Sequence, residues 1–197
     1  LIEQLATHTE VASQFYLAGG TGLALQLGHR GSIDIDLFSE KTFDTERYAT
    51  LIIGLNGRVI QSEEGSVHGV AAGVKVSFLY YPYQLLNPFQ NVNGIKVASV
   101  DDIAAMKVVA ISQRGDKKDF FDLYEILKSI TPHDLKNLFL KKFGASRINC
   151  YHILKSFFFF DDADQQPDPV SLNGTSWEMV KNYFLDQEKE LMRDLIC

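Results

Sequence analysis

The chain has 197 residues, 46% apolar and 22% charged, with a net charge of −6. That is the composition of a globular protein of one domain or two small ones, long enough to bury a core without staples, and a uniformly acidic chain is not a generic nucleic-acid binder. Two cysteines, Cys150 and Cys197, build no disulfide framework and fit a cytoplasmic setting; no apolar run approaches the ~20 residues of a membrane helix, and the start does not read as a signal peptide.

Leu1 to Gln14 is expected as one amphipathic helix, and Phe15 to Ala18 as a short buried strand. Gly19-Gly20 breaks the strand, and Thr21 is placed to cap a helix over Gly22 to Leu27. From Ser32 to Phe38 the pattern alternates strictly. Ile33, Ile35 and Leu37 fall on one face and Ser32, Asp34 and Asp36 on the other, as in a half-buried strand. A helix over Thr45 to Leu55 follows, then strands over Arg58–Glu63, Val67–Ala72 and Val74–Tyr80. The second half reads as helices: Ser99 to about Gln113, Lys118 to Ser129, Pro132 to Phe143, about Ser146 to Phe159, and Ser176 to Ile196. The expected fold class is α/β (α+β): a small mixed sheet with helices over 1–100, then a helical part over 101–197 packing on it.

Two constellations carry chemistry. In the first, a strand ending in Gly19-Gly20-Thr21 and turning into a helix leaves backbone N–H groups open to a phosphate, with the Thr21 hydroxyl as a further donor. It is no Walker A loop, for the chain lacks Gly-Lys-Ser/Thr, and no dinucleotide fingerprint, for Leu25 stands where the last glycine belongs. Asp34 and Asp36 follow. Two positions apart on a strand, they lie about 6.5–7 Å from each other on one side. Like charges so placed repel unless a cation sits between them, and Mg²⁺ or Mn²⁺ prefers such oxygens and brings nucleotide phosphates with it. A plain turn and a solvated strand face explain each feature alone; the two in succession favour a site. Arg30, just ahead, could reach a phosphate or neutralise these acids.

The second constellation is Lys107, Arg114, Asp119 and Asp122. Lys107 and Arg114 are two helical turns apart on a common face, and Asp119 and Asp122 are one turn apart on the next helix. The cations suit triphosphate oxygens and an acid suits an acceptor hydroxyl, while a surface ion-pair array across the helix–helix turn is the plainer alternative.

These stretches, Leu17-Ala18-Gly19-Gly20-Thr21, Gly28 to Phe38, Lys107 with Arg114, and Lys118-Asp119-Phe120-Phe121-Asp122-Leu123-Tyr124, closely resemble the nucleotidyltransferase AbiEii/AbiGii toxin family, of the DNA polymerase beta-like superfamily. Phe160 to Asp164, Trp177 and Val180-Lys181 extend the resemblance, which runs from about Phe15 to Phe184. It implies transfer of a nucleoside monophosphate from an NTP, with Mg²⁺, to a hydroxyl or an RNA 3′ end. The chain would then be the toxin of a toxin–antitoxin or phage-defence pair, with tRNA or a protein as acceptor and a cognate antitoxin as partner. Gly19, Gly20, Thr21, Arg30 and Arg114 would bind nucleotide, Asp34 and Asp36 metal, and Lys107, Asp119 and Asp122 would be catalytic.

One position departs from the superfamily. Its third carboxylate belongs on the strand Val74 to Leu79, where Ser77 stands. Glu63, Glu64 or Asp119 could replace it, the site could hold one metal, or the domain could bind nucleotide, RNA or a partner without turnover. The charge is also uneven: residues 161–197 hold nine acids and three bases, while 106–160 hold five acids and ten bases. The local basic excess leads to an expectation of RNA binding.

Overall fold

The computed structural model describes residues 1–92, 94–144 and 150–195. The chain divides into two compact units, one of Leu1–Gly22 with Ser32–Ser99, the other of Leu23–Gly31 with Val100–Cys197. Residues 23–31, expected with the first half, group with the helical second.

The first unit is built on a seven-stranded mixed sheet. Its strands are β1 (Tyr16–Leu17), β2 (Ile35–Ser39), β3 (Arg58–Glu63), β4 (Ser66–Ala71), β5 (Val74–Tyr80), β6 (Gln90–Val92) and β7 (Ile95–Val97), in the order β3-β4-β5-β2-β1-β7-β6. β2 runs parallel to β5 and antiparallel to β1. Helices α1 (Ile2–Thr7), α2 (Thr9–Gln14) and α4 (Thr45–Gly54) belong to this unit. Its core gathers Phe15, Tyr48 and Phe78, with Ile35, Leu37, Val76 and Val97. The ring of Phe15 meets those of Tyr48 and Phe78 edge-on at 4.8 and 5.1 Å, a preferred aromatic geometry.

The expected first helix is two, because His8 is extended (φ −80, ψ 105). β2 starts at Ile35 rather than Ser32. The Thr21 hydroxyl takes the Asp34 carbonyl, so the backbone there bonds to a side chain, not to a ladder. Ile33 is consequently 71% exposed, while Ile35 and Leu37 are buried as expected. The β6–β7 hairpin went unread, although Asn93-Gly94 is a hairpin dipeptide; Gly94 has φ +84.

Helix α3 (Gly19–Leu27) starts three residues earlier than expected. The amide of Gly22 already bonds to the Ala18 carbonyl at 3.2 Å, so Gly19-Gly20-Thr21 is the helix's own first turn.

The second unit comprises the rest of α3 and helices α5 (Val100–Gln113), α6 (Lys117–Leu127), α7 (Pro132–Phe143), α8 (Cys150–Ser156), α9 (Asp161–Asp164), α10 (Trp177–Asp186) and α11 (Glu188–Leu195). Thr131 and Asp134 close a capping box around Pro132 at the start of α7, satisfying two amides that the helix leaves open. Phe120 packs with Phe160, Trp177 and Phe184. Of the block Phe157 to Phe160, Phe157 and Phe160 are buried and Phe159 is exposed. The expected fourth helix keeps only α8, with residues 146–149 outside the described residues, as are residues 196 and 197 of the expected last helix. That last helix is interrupted at Gln187 (φ −88, ψ 4). Residues 29–31 belong to this unit because their backbone bonds there. Leu172 N reaches the His29 carbonyl at 2.9 Å and Gly31 N the Val170 carbonyl at 2.8 Å.

Candidate active site

In the first unit, the site grows from the sheet register. Asp36 on β2 is opposite Ser77 on β5, and Ser77 is opposite His68 on β4. Paired residues share a face, so Asp36, Ser77 and His68 form a row across three strands. Val76 and Phe78, one residue to either side, go into the core. On the other flank of Asp36, its carbonyl accepts from Ala18 N at 3.2 Å, and Gly19 follows. A Cβ on Gly19 would sit 3.2 Å from Asp36 Oδ2, and Gly19 has φ +64. Glycine is needed there twice over: for the left-handed backbone and for the approach of the carboxylate.

The first-turn amides of α3 have no partner within the helix and carry the positive end of its dipole. They stand beside the Asp36 carboxylate, which no ion pair reaches among the described residues. Asp34 lies one residue before the strand, and both acids are half-buried. The Thr21 side chain is engaged with Ser32 Oγ at 2.9 Å and with the Asp34 carbonyl. It therefore fixes the approach to β2. Among the described residues no group of three or more His, Cys, Asp or Glu could hold a metal. The donor set present, two carboxylates beside a phosphate-type turn, suits a magnesium ion that takes its remaining ligands from phosphate and water. Glu63 and Glu64 are exposed at the β3–β4 turn, and Glu63 pairs with Ser66, two residues along β4 from His68. Neither enters the row.

In the second unit the charged residues close on one another. Asp122 accepts from His29 Nε2 at 2.7 Å, from Arg30 through two nitrogens at 2.7 and 2.8 Å, and from Lys107 Nζ at 2.5 Å. Asp119 accepts from Lys107 at 2.7 Å and from Arg114 at 2.8 and 3.0 Å. Both carboxylates are 0% exposed, and His29, Arg30 and Lys107 are nearly so. Burial alone would raise the Asp122 carboxyl. The Lys107 charge, with the hydrogen bonds of His29 and Arg30, outweighs it and holds Asp122 far below the usual range. Asp119 is likewise lowered against its burial, by Lys107 and Arg114. Burial would lower Lys107, and the charges of Asp122 and Asp119 raise it instead. At neutral pH these are a locked ammonium and two locked carboxylates, which position side chains.

The array is thus buried rather than superficial, and it recruits His29 and Arg30. Of the two readings of Arg30, neither is what its contacts show: its partner is Asp122. Several bases of 106–160 are likewise paired with acids. Lys117 meets Asp168, Lys142 meets Asp102, and Lys128 meets Glu125. Arg114 is 54% exposed and lines an open groove with Lys155, His152, Phe159 and Asp162.

Residues 1–190 match the family described as Nucleotidyl transferase AbiEii toxin, Type IV TA system. The chain belongs to this family. An uncharacterized protein of Aquifex aeolicus is 38% identical to it over 194 residues, 93% of this chain and 91% of that one. JHP933 from Helicobacter pylori shares 17% identity at a TM-score of 0.53 over 97% of this chain and 92% of its own. A second Helicobacter pylori structure reaches 0.55 at the same identity, over 97% and 95%. The AbiEii chain thus has the polymerase beta-like nucleotidyltransferase fold, with a mixed sheet in one unit and helices in the other. No helix among its described residues is long and apolar enough to cross a membrane.

Proposed function

We propose that this AbiEii protein transfers a nucleoside monophosphate from an NTP to a hydroxyl, with magnesium held by Asp34 and Asp36. The observation that carries the reading is Asp36, with no ion pair among the described residues, placed against Gly19 at the start of α3. The open amides of Gly19, Gly20 and Thr21 take phosphate oxygens, and Gly19 allows the approach. The metal, when bound, offsets charge on the phosphates as pyrophosphate leaves. In the helical unit, Lys107 uses two of its three donors on Asp119 and Asp122. Asp119, Asp122, His29 and Arg30 hold that ammonium in place, and Arg114 presents its exposed edge to nucleotide or acceptor.

The acceptor is an RNA 3′ end, such as that of tRNA, or a protein hydroxyl, and the physiological setting is a toxin–antitoxin pair. The groove with Arg114, Lys155 and Phe159 is what supports RNA, since it joins basic and aromatic side chains. The deciding experiment incubates the protein with each labelled NTP, Mg²⁺ and total cellular RNA or protein. Label is expected in one fraction and absent with Asp34→Asn/Asp36→Asn; equal labelling by that variant overturns the reading. Ser77 favours one second reading, a site that binds nucleotide without turnover. Magnesium-dependent NTP binding with no product after long incubation would establish it.

A further inference from the structure

Ser77 occupies the place of an acid, yet it does not stand alone. Its Oγ lies 3.1 Å from His68 Nδ1. Ser77 is 9% exposed and His68 is half-buried. The next residue in the row on the other side is Asp36. A serine hydroxyl is a poor proton acceptor by itself. A serine whose own proton has an imidazole to go to is a different group, because its oxygen can take a proton as it gives one up.

We infer that Ser77 and His68 together replace the missing third carboxylate as the proton acceptor for the hydroxyl that attacks the nucleotide. This rests on the transferase reading above. With the ring proton on Nε2, His68 Nδ1 accepts from Ser77 Oγ–H, leaving the Ser77 lone pairs for the acceptor hydroxyl. In the step, the acceptor oxygen bonds to the α-phosphorus and the bond from that phosphorus to the bridging oxygen breaks, releasing pyrophosphate. The acceptor's proton passes to Ser77 Oγ, and the Ser77 proton passes to His68 Nδ1. Ser77 is the group that touches substrate, and His68 acts through it.

Geometry alone would also allow the Ser77–His68 bond to brace the sheet, so the test must separate bracing from proton transfer. His68→Gln and Ser77→Ala should each lower the turnover of the folded protein by about 100-fold, within the usual range for a lost acid–base group, with the KM for NTP changed less than about twofold. Ser77→Asp restores a carboxylate at the position. In that background His68→Gln should cost less than about threefold, and Ser77→Asp should tighten magnesium binding in titration calorimetry. Circular dichroism and melting temperatures identify any variant that is merely unfolded. The inference is overturned if His68→Gln turns over like the wild type, if it costs the same factor with and without Ser77→Asp, or if Ser77→Asp leaves magnesium binding unchanged. In each of these cases the transferase reading stands. A wild-type protein without any transfer sinks both.

Discussion

The two units hold their acids in opposite ways. In the sheet unit, Asp34 and Asp36 are half-buried beside open amides, and no ion pair reaches Asp36 among the described residues. In the helical unit, Asp119 and Asp122 are wholly buried and share Lys107, with Arg114, Arg30 and His29 around them. A buried carboxylate survives only with its partners present, so the second pair is committed to the fold. A half-buried carboxylate without an ion partner pays no such toll on loss of charge and remains available to a ligand. Chemically identical residues thus differ in how far they are committed to the fold, according to what surrounds them.

The sharpest test of that contrast is neutralisation on each side. Asp34→Asn/Asp36→Asn should lower transfer on the order of 10³-fold or more, about 4 kcal/mol of barrier, while the melting temperature stays within about 2 °C. Asp122→Asn should do the reverse first. It leaves Arg30 buried without its carboxylate and Lys107 with Asp119 in place of two, and should cost about 3–5 kcal/mol of stability, lowering the melting temperature by about 6–20 °C. Equal melting of the two variants would erase the distinction between the units.

Acid sharpens it further. The folded carboxyls of Asp119 and Asp122 are lowered from 3.8. Their stabilisation is therefore fully present above that value and is lost as pH falls below it, through the folded values. The wild type should lose melting temperature between pH 4 and 2 (on the order set by the reference carboxyl value), and Asp122→Asn should lose less. Lys107 is raised above 10.5, so its share is complete below that pH and disappears only as pH rises beyond it. The smallest effect is expected from Arg114→Ala. Its guanidinium is half in water, and solvent screening holds the cost to about 1 kcal/mol or less in an unfolding titration.

Much of the first unit was legible because its determinants are local. The alternation around Asp34 and Asp36, the glycines before α3 and the pattern of β5 each fit within a few residues, and the register then placed Ser77 opposite Asp36. The early start of α3 was not legible, since it depends on an Ala18–Gly22 bond in a turn with φ +64 at Gly19. The exposure of Ile33 was hidden too, because a Thr21 side chain displaces the ladder there. Lys107, Asp119 and Asp122 were found by helical spacing, but His29 and Arg30 were not placed with them. No periodicity links Arg30 to an aspartate 92 positions away.

That separation has a consequence for synthesis. Arg30 leaves the ribosome long before Asp122, and at the usual speeds of translation the gap of 92 residues lasts roughly 5–20 s. Throughout that interval the guanidinium destined for one of the most enclosed sites of the helical unit has no carboxylate to meet. The strands on both sides of segment 23–31 are all synthesised before Asp122 is. The same arrangement forbids a simple cut: a fragment starting at residue 100 would carry Asp122 with Lys107 but without His29 and Arg30, and the other half would hold the whole sheet unit together with a segment 23–31 parted from its own.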